Sequence, residues 1–277
     1  MTASIINLFR KYNFRGKGRL INLLFKNGKN IVIPYHNNTL IEIDTSELIG
    51  WYVFWMGGYE NEVMWILNNI LDPNDVAIDC GANLGVWSIV LAKKCNFVHL
   101  IEPHPDFRIK LENNIAINRF ANTHIYPYAI SEREGYTTLF SPPFEMKNKS
   151  ASIVDLNKEL SEHINVEVKS LDTLFLSLPK LNFIKIDCDG SDGDIIMSGR
   201  KTIVKHLPYI LFEDLGGYNN AMGDPLIKEK VNHAYDDAFK FLYSLNYRIF
   251  EINNNSLIES KRIYGRYSNM LAFPPKS

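Results

Sequence analysis

Val76-Ala77-Ile78-Asp79-Cys80-Gly81-Ala82-Asn83-Leu84-Gly85 is the stretch on which the fold turns. The apolar run Val76 to Ile78 ends in Asp79, and small or turn-forming residues follow until a helical pattern begins at Leu84. This reads as a buried strand feeding a glycine turn at a helix N-terminus, where doubly wound α/β folds bind cofactors. The spacing is Asp-x-Gly-x-Asn-x-Gly, so the dinucleotide fingerprint G-x-G-x-x-G is not matched. Gly81 and Gly85 allow the backbone to approach a ligand without a Cβ clash. The carboxylate of Asp79 precedes the turn, where it would repel a pyrophosphate and attract a cation. A nucleoside carrying a sulfonium and an amino group suits that field, and S-adenosylmethionine is such a molecule.

Two further strands carry acids at their ends. Phe97 to Ile101 runs into Glu102, then Pro103-His104-Pro105. Glu102 lies 17 residues after Gly85, near the roughly 20-residue offset at which an acid meets a ribose hydroxyl in such folds. Phe183-Ile184-Lys185-Ile186 runs into Asp187-Cys188-Asp189-Gly190. Three carboxylate-tipped strands predict one crevice at the C-terminal edge of an open sheet.

Taken in order, Asp79 to Gly85, Glu102 to Pro105, Asn113 to Asn118, Ala129 to Gly135 and Lys185 to Gly190 resemble the blocks of FkbM-type methyltransferases. These are class I enzymes that use S-adenosylmethionine, many of them methylating hydroxyls of sugars or polyketides. The resemblance runs from about Gly58 to Glu213. It implies an α/β, Rossmann-like fold with a seven-stranded, mostly parallel sheet, helices on both faces and an antiparallel last strand. It also implies a cofactor cleft formed by Tyr59, Glu60, Asp79, Gly81, Asn83, Gly85, Glu102, Pro103 and Asp187, with Ser131 and Glu132 as candidates for the adenine edge. In this family the fourth block usually reads Asp-x-Glu-Gly-x-Glu; here Asp189 and Asp192 are each shorter by a methylene. Residues 1–58 are expected to form an N-terminal appendage and 59–277 the methyltransferase domain.

Composition sets limits. The chain has 277 residues, 46% of them hydrophobic, enough for one large α/β domain and a small appendage. A net charge of −1 offers no basic field for nucleic acid. Cys80, Cys95 and Cys188 show no C-x-x-C spacing, so neither zinc nor a disulfide framework is indicated. No signal-peptide pattern opens the chain and no apolar run approaches the ~18 residues of a membrane span, so a cytoplasmic protein is expected. Arg10, Lys11, Arg15, Lys17, Arg19, Lys26 and Lys29 precede the first acid, Glu42. A solvated helix or arm packed by its few apolar residues is the preferred reading of that stretch; a surface for membrane lipid or another anionic partner is the other.

Elsewhere the pattern predicts a hairpin of Asn30–Ile33 with Thr39–Ile43, a helix over 60–71, and strands at 123–128, 136–140, 165–169, 209–212, 247–252 and 268–273. A loop is expected at 141–152 and a Gly/Asn-rich loop at 215–223, before a long helix capped by Asp224 and Pro225. The aromatic segment from Trp51 to Trp65 reads first as core and second as a stacking surface.

A sugar hydroxyl is weakly acidic, so its methylation calls for a base or a cation near the methyl donor. The candidates are Asp187, Asp189 and Glu213, with Asp214 beside it. Direct base action is preferred; a divalent ion held by the same oxygens comes second, since no histidine or third fixed acid is visible. The acceptor is expected to be a small molecule or a glycan. The alternatives are transfer to nucleic acid or protein, or a non-catalytic module that binds the cofactor.

Overall fold

The structure, a computed structural model, describes residues 12, 14–24, 28–141, 162–215, 225–253, 256–260 and 268–275. The basic residues Arg10, Lys11 and Lys26, the loop expected after Ser141, the loop 216–223 and the Asp224 cap lie outside them. Helix α1 (Lys17–Leu24) precedes the hairpin of β1 (Asn30–Pro34) and β2 (Leu40–Asp44). Two helices follow, α2 (Leu48–Met56) and α3 (Asn61–Ile70), and then the α/β core begins: β3 (Val76–Cys80), α4 (Val86–Lys94), β4 (Phe97–Ile101), α5 (Pro105–Ile117), β5 (Thr123–Tyr126). A small sheet of β6 (Ala129–Ile130), β7 (Gly135–Ser141) and β8 (Glu162–Lys169) is inserted next. The chain returns through α6 (Leu171–Phe175), β9 (Phe183–Ile186), α7 (Asp192–Ser198), α8 (Arg200–His206) and β10 (Tyr209–Asp214). It ends with α9 (Pro225–Ser244), β11 (Arg248–Asn253), β12 (Ser256–Glu259) and β13 (Ser268–Phe273).

The main sheet has the order β12-β11-β13-β10-β9-β3-β4-β5. β5, β4, β3, β9 and β10 are parallel, and β13 enters antiparallel beside β10. The expected seven strands are present, and an eighth is added: β12 folds back on β11 as an antiparallel edge ribbon. Its residues, Ser-Leu-Ile-Glu, are too short and too polar to announce a strand. The first part of the aromatic segment, Trp51 to Met56, lies on helix α2, and Trp65 lies on α3. Helix α2 is apolar nearly all round, so it has no amphipathic period to read and is packed into the core instead.

Alternation along the strands divides the core in two. Ala77, Val98, Phe183, Leu211 and Leu271 face one layer, built with α2, α3, α4 and the hairpin. Ile78, Ile101, Ile184, Phe212 and Ala272 face the other, built with α6 to α9. Gly193 on α7 touches the α9 backbone; a Cβ there would come within 2.7 Å of Ala234 C and Tyr235 N.

The hairpin is tied to the core by side-chain amides. Asn114 on α5 accepts from Glu42 N–H (2.6 Å) and donates to Glu42 O (3.1 Å) and Leu84 O (2.8 Å). Asn118, one turn on, accepts from Leu40 N–H (2.8 Å) and donates to Leu40 O (2.7 Å). Each amide thus substitutes for a neighbouring strand along β2, and Asn114 also fixes the glycine turn. Among the described residues no helix is long and apolar enough to cross a membrane.

Asn114 is 1% exposed, so removing its amide leaves buried backbone groups unmatched. Asn114→Ala is expected to cost about 2–4 kcal/mol, the loss of several buried hydrogen bonds. Urea unfolding followed by far-UV circular dichroism measures it; a loss under about 0.5 kcal/mol would mean that the backbone finds other partners.

Candidate functional site

The C-terminal ends of β3, β4, β9 and β10 surround one cavity of about 290 Å³, near the lower end of the roughly 300–1,000 Å³ usual for ligand pockets. β3 leads into the turn through Gly81 (φ +78°), Asn83 (φ +51°) and Gly85 (φ +96°). A Cβ on Gly81 would collide with the carbonyl oxygen of Asp187, so only glycine allows the two strand ends to meet. The Gly81 and Ala82 N–H groups both donate to Ile101 O at 3.0 Å, and Asp187 N–H donates to Cys80 O at 3.1 Å.

Glu102 stands at the next strand end, 4% exposed. Its Oε2 accepts from Asn83 N–H (2.7 Å) and its Oε1 from His104 N–H (2.8 Å). Burial pushes its carboxyl up to about 7, although those two N–H groups and Arg108 pull the other way.

Under the cavity lies a line of charge. Asp79 is fully buried; its Oδ2 accepts from Ser88 Oγ at 2.6 Å. Lys185 Nζ is 3.8 Å from Asp79 Oδ1 and 2.9 Å from Asp187 Oδ2. The ammonium also lies 5.9 Å from the ring centre of Trp87. Burial raises the Asp79 carboxyl, opposed by Lys185 and Ser88. For Lys185 burial acts downward, but Asp187 and Asp79 outweigh it and hold the ammonium above its usual range.

Asp192, also fully buried, accepts from Cys188 N–H (3.0 Å) and Glu213 N–H (2.9 Å). It joins the ends of β9 and β10, and burial pushes it up to about 7. Because Asp192 secures the acid loop, the Asp187 side chain is left facing the cavity. Asp189 (φ +45°) and Gly190 (φ +93°) complete that loop.

The match to the methyltransferase FkbM domain covers residues 79–249, more than half of the chain. The chain belongs to that family. No curated protein matches it. Among solved structures it is similar to the FkbM methyltransferase of Methylobacillus flagellatus, with 15% identity, a TM-score of 0.43, and 73% of this chain and 44% of that one covered. Trm5b from Pyrococcus abyssi aligns with 13% identity, a TM-score of 0.44, and coverage of 88% and 54%. TYW2 of M. jannaschii, solved with AdoMet, aligns with 14% identity, a TM-score of 0.43, and coverage of 88% and 84%. The chain thus spans about half the length of the first two.

In this FkbM domain, Gly81, Asn83, Glu102, Asp187, Asp189 and Glu213 all line the same cavity, joined by Tyr59 from before the matched region. Gly85 stands just behind, at the N-cap of α4. Asp79 is not at the surface of the cavity; strand alternation turns it under the floor, where its contacts are Ser88 and Lys185. Glu60 adopts φ +46° at the N-cap of α3 and is not part of the wall. Pro103 lines a small adjoining chamber of about 50 Å³, bounded also by Gly81, Ala129, Ile130 and Ile195. Ser131 and Glu132 lie farther out, in a groove of about 1040 Å³ against α9, and Glu132 pairs with Arg200 at 2.7 Å.

Several wall residues escaped the sequence reading. Trp87, in the first turn of α4, was within reach of it, since a residue just after the glycine turn must border the ligand. Glu47, Leu48 and Ile49 had no local signal; they arrive only because the hairpin docks on α5. Phe107 stacks on His104 at 4.2 Å, and Glu47 pairs with Lys110 at 2.7 Å. Among the described residues no group of three His, Cys, Asp or Glu side chains is arranged to hold a metal ion.

Glu102 and Asp192 retain protons in the folded state that the unfolded chain has released, since their ordinary values are 4.5 and 3.8. Stability contributed through them therefore falls as pH rises from about 4 to 7, then levels off. The thermal midpoint of the ligand-free protein should be lower at pH 7.5 than at pH 5 by a margin that shrinks in Glu102→Gln and in Asp192→Asn. An unchanged margin in both variants would show that these carboxyls ionise freely.

Proposed function

We propose that this chain is an S-adenosylmethionine-dependent O-methyltransferase whose acceptor is a hydroxyl of a carbohydrate, a glycan or a related secondary metabolite. The observation that carries this is Glu102: a buried carboxylate at the cavity wall, each oxygen fixed by one backbone N–H and keeping a second lone pair for a ligand. Two such oxygens match the two adjacent hydroxyls of a ribose. Gly81 borders the cavity beside Glu102, its missing Cβ letting the ends of β3 and β9 close together behind the wall. The chamber bounded by Pro103, Ala129, Ile130 and Ile195 offers the base an apolar slot next to Glu102. When bound, this cofactor supplies an electrophilic methyl group on a positively charged sulfur.

The remaining steps belong to side chains of the chain. Asp187, Asp189 and Glu213 give the wall a negative field suited to that positive charge. Asp187 Oδ2 is held by Lys185, so Oδ1 is the oxygen that accepts the acceptor's hydroxyl proton, with Asp189 or Glu213 assisting. Burial and the surrounding acids push the Tyr59 hydroxyl upward, so it stays protonated and acts as a donor. Holding both reactants in line can supply about 7–11 kcal/mol of the barrier.

The same wall supports a neutral acceptor. Glu47, Glu102, Asp187, Asp189 and Glu213 all face the cavity; phosphodiesters would be repelled there, whereas polyols would find acceptors for their hydroxyls.

Incubation with methyl-labelled S-adenosylmethionine and extracts containing glycans and nucleotide sugars should place the label in carbohydrate; label in RNA or protein instead would overturn the acceptor assignment. Glu102→Ala should weaken cofactor binding by about 1.5–3 kcal/mol, the contribution of hydrogen bonds to a charged group. In the wild type, affinity measured by calorimetry should tighten as pH rises from 6 to 8, because the diol donates to the ionised carboxylate, and Glu102→Gln should abolish the trend. A flat wild-type profile would remove Glu102 from the ribose. Asp187→Asn should bind cofactor normally and lose about a hundredfold or more in turnover, the lower end of the effect of a positioned base. Activity lost to a chelator and restored by a divalent ion would favour the metal route.

A further inference from the structure

Lys185, the partner of Asp187 Oδ2, is 2% exposed in the middle of the sheet. The strand register explains where it stands. Leu211, Lys185, Asp79 and Leu100 are successive cross-strand partners on β10, β9, β3 and β4, so a lysine and an aspartate sit between two leucines in one row. In such a row an apolar pair would commonly be as stable, since two buried ions lose more hydration than their attraction returns. Fold stability therefore does not account for the pair.

The distances suggest what does. The ammonium makes its hydrogen bond to Asp187 at 2.9 Å, not to its register partner Asp79, which stands at 3.8 Å. Asp187 is the cavity-facing end, with 27% of its side chain exposed, while Asp79 is sealed beneath. Asp79 Oδ1 has no hydrogen-bond partner of its own; it faces Lys185 from below at 3.8 Å. Ser88 holds Asp79 from α4, and the Trp87 ring flanks the ammonium. The result is a column from Ser88 through Asp79 and Lys185 to Asp187.

We propose that Lys185 is a positioning residue for methyl transfer: anchored from beneath by Asp79, it fixes the orientation of the Asp187 carboxylate and leaves one of its oxygens for the acceptor. This rests on the reading of Asp187 as the proton acceptor. Lys185 touches neither reactant, and its action passes through Asp187 alone.

Two measurements test it. In the ligand-free protein, 15N NMR of lysine side chains should show one slowly exchanging ammonium that is absent in Lys185→Met and exchanges at least about tenfold faster in Asp187→Asn, as expected when its hydrogen-bond acceptor is weakened. An exchange rate unaffected by Asp187→Asn would overturn the proposal without reference to activity. In saturating assays, Lys185→Met should lower kcat by about tenfold or more while cofactor Kd stays within about threefold, the split expected of a group acting only in the transfer step. Lys185→Arg, which keeps the charge, should recover part of kcat. Should Lys185→Met fail to fold because Asp79 is left unpaired, Asp79→Asn/Lys185→Met removes both charges and should fold, bind cofactor and remain slow. Wild-type kcat in either methionine variant would refute the assignment. A wild type that transfers no methyl group would instead count against the function proposed above, with the ammonium measurement still deciding whether Lys185 holds Asp187.

Discussion

Everything at the site depends on one steric contact. The Gly81 Cα lies against the carbonyl oxygen of Asp187, in a space that any Cβ would occupy. Through that contact the end of β3, which turns into α4, is brought against the end of β9, which opens the acid loop. The hydrogen bond from Asp187 N–H to Cys80 O extends the parallel pairing to the very end of the strands. A wider spacing would separate the glycine turn from Asp187, and the cavity would lose the convergence of Gly81, Glu102 and Asp187 on which its chemistry rests.

Burial divides the acids of this region into two kinds. Glu102 and Asp192 each accept two backbone N–H groups, from Asn83 and His104 in one case and from Cys188 and Glu213 in the other. They act as rivets for the loops that follow β3, β4 and β9 and for the end of β10 itself, and loss of water raises both carboxyls to about 7. Asp187 has a different setting: it is partly exposed and bonded to an ammonium. The wall acid is thus held by an ion pair, and the loops are held by carboxyls that burial raises toward neutrality. The two tasks are separated by which neighbours each acid has, although all lie within a few residues of the strand ends.

The α/β architecture was legible because its signals are local. An apolar strand followed by glycines, acids at strand ends and the four-residue recurrence of Phe107, Leu111 and Ile115 all survive in one dimension. The family blocks added order to these. What could not be read depended on the third dimension. Asp79 looked like a ligand contact because it adjoins the turn, but alternation along β3 directs it beneath the floor. Asp192 was legible only as a motif acid one methylene short, and it caps the ends of two strands. Ser131 follows the short strand β6, and that strand joins the inserted sheet instead of the main one, which carries Ser131 into another groove. β12 and α2 went unread for opposite reasons: one is too short to show a period and the other is apolar on every side.

The N-terminal hairpin gives the site its last constraint. The match to the family's domain begins at residue 79, yet Glu47, Leu48, Ile49 and Tyr59 line the same cavity as Glu102 and Asp187. Their place is fixed by residues inside the matched region: Asn114 and Asn118 bind the backbone of β2, and Lys110 holds Glu47. α5 therefore does two jobs along its length. Its first turn follows Glu102 and stacks Phe107 on His104 at the cavity, while its last turns clamp the hairpin. Because Asn114 also bonds Leu84 O, a shift of the hairpin is transmitted to the glycine turn through a single side chain. The wall outside the matched region and the turn inside it are thus mechanically one unit, so the position of residues 47–49 and the position of the glycine turn are set together.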